Sequence, residues 1–466
     1  MSNDKNKAKI SLSKTVTKMG PAVFTALIAT GLGFIALYTS PVPMIQDFGK
    51  MLTIGLVVSF VLGIFLLIPL LFTRDYFFSH VQKKQKEKQQ EKEEKPSTMD
   101  RLLDWITRKT ITFRWVIIAL ALVIAAIGIW VDIDADAETD VETFMPQDIQ
   151  ALEDIHKLRD IVGSTDQVSI VYQGEDLVSN RVITWVDKLT KTIEKKFPDT
   201  VVETTSITNI VKQMNDGVLP DKKTFKEQIA DLPEDQTKLF INESHTKGVI
   251  TVGIKHLEAK DLQLFIEELD AYLEKNRLET VETTVTGKAV LDVEMIKGLT
   301  TGRYQMTLLG MGLVFFSLLL IYRHPIKAFI PLLPIILIVG WSGLVMYFLD
   351  ISYTPLTATL GALIIGIGTE FTVLVMERFY EERKKGYQAL DAILTTNKSI
   401  GKAIFASALT TIGGFSALLA SDFAILNNFG KMTLINISLA LFSTLIVMPS
   451  ILISLDRFVK IKDRHE

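Results

Sequence analysis

Eight apolar runs, each close to the ~20 residues a helix needs to cross a bilayer, constrain this chain more than any other feature. They lie at about 20–39, 49–72, 113–131, 304–322, 326–348, 354–376, 402–420 and 430–455. Lipid offers no partner to a backbone N–H or C=O, so each run must close its hydrogen bonds internally, as a helix. The 466 residues are 48% hydrophobic yet 22% charged, which is compatible because the charges gather between the runs. The predicted fold class is an α-helical polytopic membrane protein with eight transmembrane helices. Pro331 and Pro334 fall inside the fifth run, where a kink is expected. Residues 1–19 are polar and Lys-rich, and the run after them is too long for a cleavable signal core.

The composition also narrows the chemistry. A net charge of −3 gives no reason to expect a nucleic-acid partner. No cysteine is present, which removes disulfides, thiolate nucleophiles and Cys-based metal sites. The six histidines are scattered. There is no P-loop, no GxSxG and no pair of catalytic carboxylates. The chain is therefore expected not to be an enzyme, with no catalytic residue, no metal ligand and no cofactor.

Basic residues orient the helices. They cluster at Lys5 to Lys18, at Lys83 to Lys95, at Arg323 and Lys327, from Arg378 to Lys402, and from Arg457 to Arg464. All five clusters fall on one side of an eight-helix path, and the positive-inside rule makes that side cytoplasmic. The expected location is the cell membrane, multi-pass, with both termini cytoplasmic and the block 132–303 outside. The Lys/Glu-rich stretch 81–97 reads as a solvated charged helix or flexible linker.

The outer block reads as a folded α+β domain. Strands are predicted at 167–172, 201–206, 248–255 and 281–287, with helices at 181–196 and 260–276. Strand–helix–strand occurs twice, which suggests two split βαβ units with helices on one sheet face. The stretch 209–240 reads as helical and polar, an insertion or a cover.

An internal repeat sets the architecture. Residues 20–54 align without gaps to 401–435, with about 14 of 35 positions identical, including Phe48-Gly-Lys-Met51 against Phe429-Gly-Lys-Met432. Helices one and two are thus a second copy of helices seven and eight, and parallel repeats are a transporter signature. The C-terminal copy comprises one helix, a large outer domain and five helices. The N-terminal copy has only the last two helices, so the chain reads as the C-terminal two-thirds of a twelve-helix protein.

These features resemble the resistance–nodulation–division (RND) superfamily, and within it the MMPL-like exporters. The resemblance rests on Gly366-Ile-Gly-Thr-Glu-Phe-Thr-Val-Leu-Val-Met-Glu-Arg-Phe-Tyr-Glu-Glu-Arg383, on the two repeats, and on Thr286-Gly-Lys-Ala-Val290. It implies that 1–72 holds the last two helices of a first half and 73–112 is a cytoplasmic linker. Residues 113–131 would be the first helix of the second half, 132–303 a porter-like domain, and 304–466 a five-helix bundle and tail. MMPL-like members carry an Asp-Tyr pair in a proton relay where this chain has Glu370-Phe371. The carboxylate is one methylene longer, and the phenol is replaced by a phenyl ring.

Glu370 also stands out without the resemblance. A carboxylate in a membrane-spanning run is costly and generally marks an ion or proton path. Burial disfavours the anion while nearby donors favour it, and that balance suits loading and release of a proton. Thr369, Thr372, Ser407, Thr410 and Thr411 are candidate donors, although hydroxyls in helices often bond their own backbone. Gly361, Gly366, Gly368, Gly413 and Gly414 would allow close helix approach. The competing reading is a shallow Glu snorkelling toward Glu377 and Arg378.

Three functions fit. The first is a cation-gradient-driven exporter of hydrophobic or amphiphilic molecules. The second is a lipid- or sterol-sensing membrane protein without transport. The third is a SecD/SecF-like accessory of protein export. The expected partners are membrane lipids, the substrate, and a companion polypeptide supplying the N-terminal third.

Overall fold

The computed structural model describes residues 2–77, 98–135, 137, 138, 140–163 and 166–459. The charged stretch 81–97 and the basic tail beyond 459 lie outside these residues. The chain divides into two units, 1–137 with 298–466, and 138–297.

In the first unit, α1 (Ser2–Ile35) and α2 (Pro43–Leu62) precede α3 (Thr98–Thr112) and α4 (Arg114–Asp132). The second unit is built on β1 (Asp166–Gln173), α5 (Asn180–Lys196), β2 (Val201–Thr205), β3 (Lys247–Ile254), α6 (Ala259–Lys275) and β4 (Glu282–Thr286). The first unit resumes with α7 (Arg303–Tyr322), α8 (Leu332–Phe348), α9 (Leu360–Lys384), α10 (Ala389–Ser416), α11 (Ala424–Phe442) and α12 (Met448–Leu455).

Eight helices among the described residues are long and apolar enough to span a membrane. Several run past their apolar stretch into polar sequence, as α9 does to Lys384, because a helix can continue into water once its core has been set in lipid. In the fifth span, Pro325–Phe348, the helical hydrogen bonding is interrupted at Ile330 and Pro331, although both keep helical dihedrals. A short helix, Pro325–Phe329, ends before Pro331, which has no N–H to carry it on. Pro334 sits in the first turn of α8, where an amide proton would have no intrahelical acceptor in any case.

The sequence repeat is also a structural repeat. A 3₁₀ turn at Ala36–Thr39 leads into α2, and its counterpart at Ala417–Ala420 leads into α11. Each helix then passes through a π-helical turn, Gly63–Leu67 in one copy and Ser443–Val447 in the other.

The second unit is a four-stranded antiparallel sheet in the order β2-β3-β1-β4. β1 and β2, joined through α5, are separated by β3, which is the split βαβ arrangement. Alternation along β1 sends Val168, Ile170 and Tyr172 into the core against Val186, Leu189 and Ile193 of α5 and Leu269 and Leu273 of α6. The stretch 209–240 is largely helical, with Ile207–Met214, Lys222–Asp231 and Glu234–Thr237.

Candidate functional site

Glu370 sits midway along α9, whose spanning window is 78% buried. Gly366 brings α9 against α1, where a Cβ would stand 2.8 Å from the Phe34 ring. The Thr30 hydroxyl donates to the Gly366 carbonyl at 3.0 Å. Gly33 and Gly310 receive Ile365 in the same way, and Gly368 receives Ile335 of α8. Close backbone approach through small residues is the usual route to tight packing in lipid, where solvent exclusion cannot drive it.

Thr369 and Phe371 are buried on either side, but Glu370 is exposed on the bundle's own surface. No described residue hydrogen-bonds its carboxylate. The Thr369 hydroxyl donates to the carbonyls of Ile365 and Gly366, and that of Thr372 donates to Gly368. On α10, Thr410 donates to Ala406 and Thr411 to Ser407. These four hydroxyls therefore bond their own helices. Gly413 and Gly414 face open space, with nothing within 4 Å of a built Cβ. Gly366 and Gly368 are thus packed against neighbours, whereas Thr410, Gly413 and Gly414 lie on an exposed face of α10. Two spanning windows are almost bare, that of Pro43–Arg74 at 0% buried and that of Ala389–Ala420 at 11%.

A second polar centre joins helix ends that are far apart in sequence. Gly128 of α4 meets Gly340 of α8 so closely that a Cβ on Gly128 would stand 1.9 Å from the Gly340 carbonyl oxygen. The Trp341 indole donates to the Ala121 carbonyl in the same interface. This approach sets Asp132 over Gly343, where a Cβ would meet its side chain at 2.7 Å. The Asp132 carboxylate then accepts from Arg303, from the Tyr304 hydroxyl at 2.6 Å and from the Tyr353 hydroxyl at 2.7 Å. Arg303 also donates to the Asp132 main-chain carbonyl and stacks over the Tyr353 and Tyr304 rings at 3.7 and 4.3 Å. Both charged side chains are under 10% exposed. In sequence they look like ordinary charges at span ends, and only the α4–α8 contact reveals that they pair.

Comparisons with known proteins agree with this architecture. A model described as the MMPL family matches residues 184–466. A membrane protein of Methanocaldococcus jannaschii is 27% identical over 69% of this chain and 85% of its own length. The sulfolipid-1 exporter MmpL8 of Mycobacterium tuberculosis is 25% identical over 37% of this chain and 16% of its own. A membrane protein of Bacillus subtilis, YdgH, aligns at 24% over 68% of this chain and 33% of its own length. The matched region is therefore a third or less of the two larger relatives. The hedgehog release protein Disp from the water bear Hypsibius dujardini superposes with a TM-score of 0.68, covering 95% of this chain and 59% of that one. At 10% identity that likeness concerns the fold.

Proposed function

The chain belongs to the MMPL family, and on that premise we propose that it is part of an exporter of lipids or other amphiphilic molecules, driven by a cation gradient. The observation that carries the reading is Glu370, an ionisable group at mid-helix in a tightly packed span, with its carboxylate unpartnered among the described residues and turned toward the bundle's open face. A carboxylate in that position can take a proton from one side and release it to the other when the packing around it changes. The relation to a lipid exporter suggests the substrate class.

The bare faces of α2 and α10 point to further helices, from the same protein or a companion polypeptide, that cover them in the working transporter. Thr410, Thr411, Gly413 and Gly414 would lie against those helices, and Thr369 would support Glu370 from within α9. The distribution of Lys and Arg supports cytoplasmic termini and an extracytoplasmic porter-like unit at 138–297 in the cell membrane.

Two measurements test this. In inverted vesicles holding the assembled protein, a fluorescent phospholipid analogue should accumulate when the lumen is acidified, and an uncoupler should stop it. Accumulation unaffected by the uncoupler would contradict gradient coupling. A protease site placed between Val218 and Asp221 should be cut only from outside intact cells. Cleavage only from the cytoplasmic side would reverse the orientation.

A further inference from the structure

We propose that the outward face of α3 binds the headgroups of anionic phospholipids at the membrane surface. The inference is independent of export and of the role given to Glu370. It starts from the way α3 is held. Leu103, Thr107 and Thr110, at three- and four-residue steps, are buried against the bundle. A Cβ on Gly401 of α10 would stand 3.3 Å from Leu103, and the Asn397 amide donates to the Thr107 hydroxyl at 2.9 Å. Asp100 pairs with Lys402 at 2.6 Å, and the Ser450 hydroxyl of α12 donates to the Thr110 carbonyl. These contacts fix the rotation of α3 about its axis, and so fix which side chains it turns away from the protein.

The outward face is graded across its width. Arg101, Trp105, Arg108 and Thr112 are exposed along one row, and Leu102, Lys109 and Phe113 along the next. Trp105 is 60% exposed, Phe113 54% and Leu102 49%. A face meeting only water would gain nothing from this tryptophan and leucine, and one sunk in hydrocarbon would exclude the three cations. A basic row beside an apolar one, with Trp between them, suits a helix lying at the headgroup boundary. Lys109 on the apolar row fits the same place, since a lysine stem lies along apolar surface while its ammonium reaches the headgroups.

The place of α3 in the chain agrees. It is joined to the spanning helix α4 through one residue, Phe113, so its last turn ends where the membrane-crossing sequence begins. Trp115, 63% exposed at the start of α4, continues the aromatic edge.

Charge identifies the occupant. Both acids of α3 are already paired, Asp104 with Arg108 at 2.9 Å and Asp100 with Lys402. No described residue forms an ion pair or hydrogen bond with the side chains of Arg101, Lys109 or Arg114. These three cations are therefore uncompensated by protein. Each basic residue held near an anionic membrane surface strengthens attraction about fivefold, and a guanidinium fork matches phosphate oxygens in pairs. A phosphatidylcholine headgroup carries its own ammonium beside the phosphate, so the site favours a lipid with net negative charge.

The chain contains no cysteine, so Thr112→Cys gives one attachment point for a fluorophore on this face. The Thr112 hydroxyl bonds only its own helix, through the Arg108 carbonyl. The labelled full chain is placed in phosphatidylcholine vesicles containing a small share of phosphatidylglycerol or phosphatidylcholine, each bearing the same nitroxide near the top of an acyl chain, which quenches only at short range. Phosphatidylglycerol should quench with an association constant at least about tenfold above that of phosphatidylcholine. High salt should bring the two within about twofold. The combined substitutions Arg101→Gln, Lys109→Gln and Arg114→Gln should do the same with an unchanged melting midpoint. Equal quenching by the two lipids in the parent would overturn the proposal. So would a preference that survives both high salt and the triple substitution, or no quenching by either lipid, the result expected if protein covers this face.

Discussion

Arg303→Met should lower the melting midpoint of the detergent-solubilised protein by about 3–5 °C. Removing one partner of a buried ion pair costs about 3–5 kcal/mol, and each kcal/mol shifts the midpoint by about 1 °C in a chain of this size. The loss is large because the Asp132 carboxylate would keep only the Tyr304 and Tyr353 hydroxyls, with its charge uncompensated in a site under 10% exposed. Asp132→Asn should be nearly as damaging, since Arg303 would then be the unpaired charge. The double variant Asp132→Asn with Arg303→Met removes both charges and should recover at least half of the loss, a coupling that a thermodynamic cycle isolates. A single Arg303→Met variant melting within 1 °C of the parent would mean that the pair holds nothing together.

The physical consequence of that cluster lies in where it sits. Asp132 ends α4 and Arg303 begins α7, so the two residues flank the chain segments that lead into and out of the unit 138–297. Pinning them to each other and to Tyr353 fixes the spacing of those two connections on the bundle side.

The spans were legible because length and hydropathy are sufficient for a helix in lipid, where no other structure satisfies the backbone. The strands were legible because the alternation of Val168, Ile170 and Tyr172 has a period of two that no helix shares. The repeat was legible because Phe-Gly-Lys-Met recurs in register, and its structural echo extends to the 3₁₀ and π turns. The Asp132–Arg303 contact was not legible, since its partners lie 171 positions apart and each resembles an ordinary span-end charge. Nor was the direction in which Glu370 points. A helix that is apolar all round carries no periodicity to separate a packed face from an open one, so α9 had to be seen against α1 and α8.

Glu370→Gln should reduce export to background while leaving amount and membrane insertion at parental levels. Glutamine preserves the volume and most of the hydrogen-bonding capacity of the side chain but cannot change charge. A neutral side chain is also easier to hold at this depth than a carboxylate, so insertion should not suffer. Glu370→Asp should retain part of the flux, because a carboxylate one methylene shorter still titrates. Phe371→Tyr should be tolerated only if its hydroxyl finds a partner, since Phe371 is 2% exposed. A Glu that merely snorkels predicts a different pattern, in which Gln and Asp behave alike and both act on stability more than on flux.

The most direct measurement is proton-driven export of the fluorescent phospholipid analogue by the Glu370→Gln protein in vesicles across a series of pH values. The account predicts background flux at every pH with parental protein content. Full flux by the Gln variant at any pH in the series would contradict it and leave Glu370 without a part in coupling.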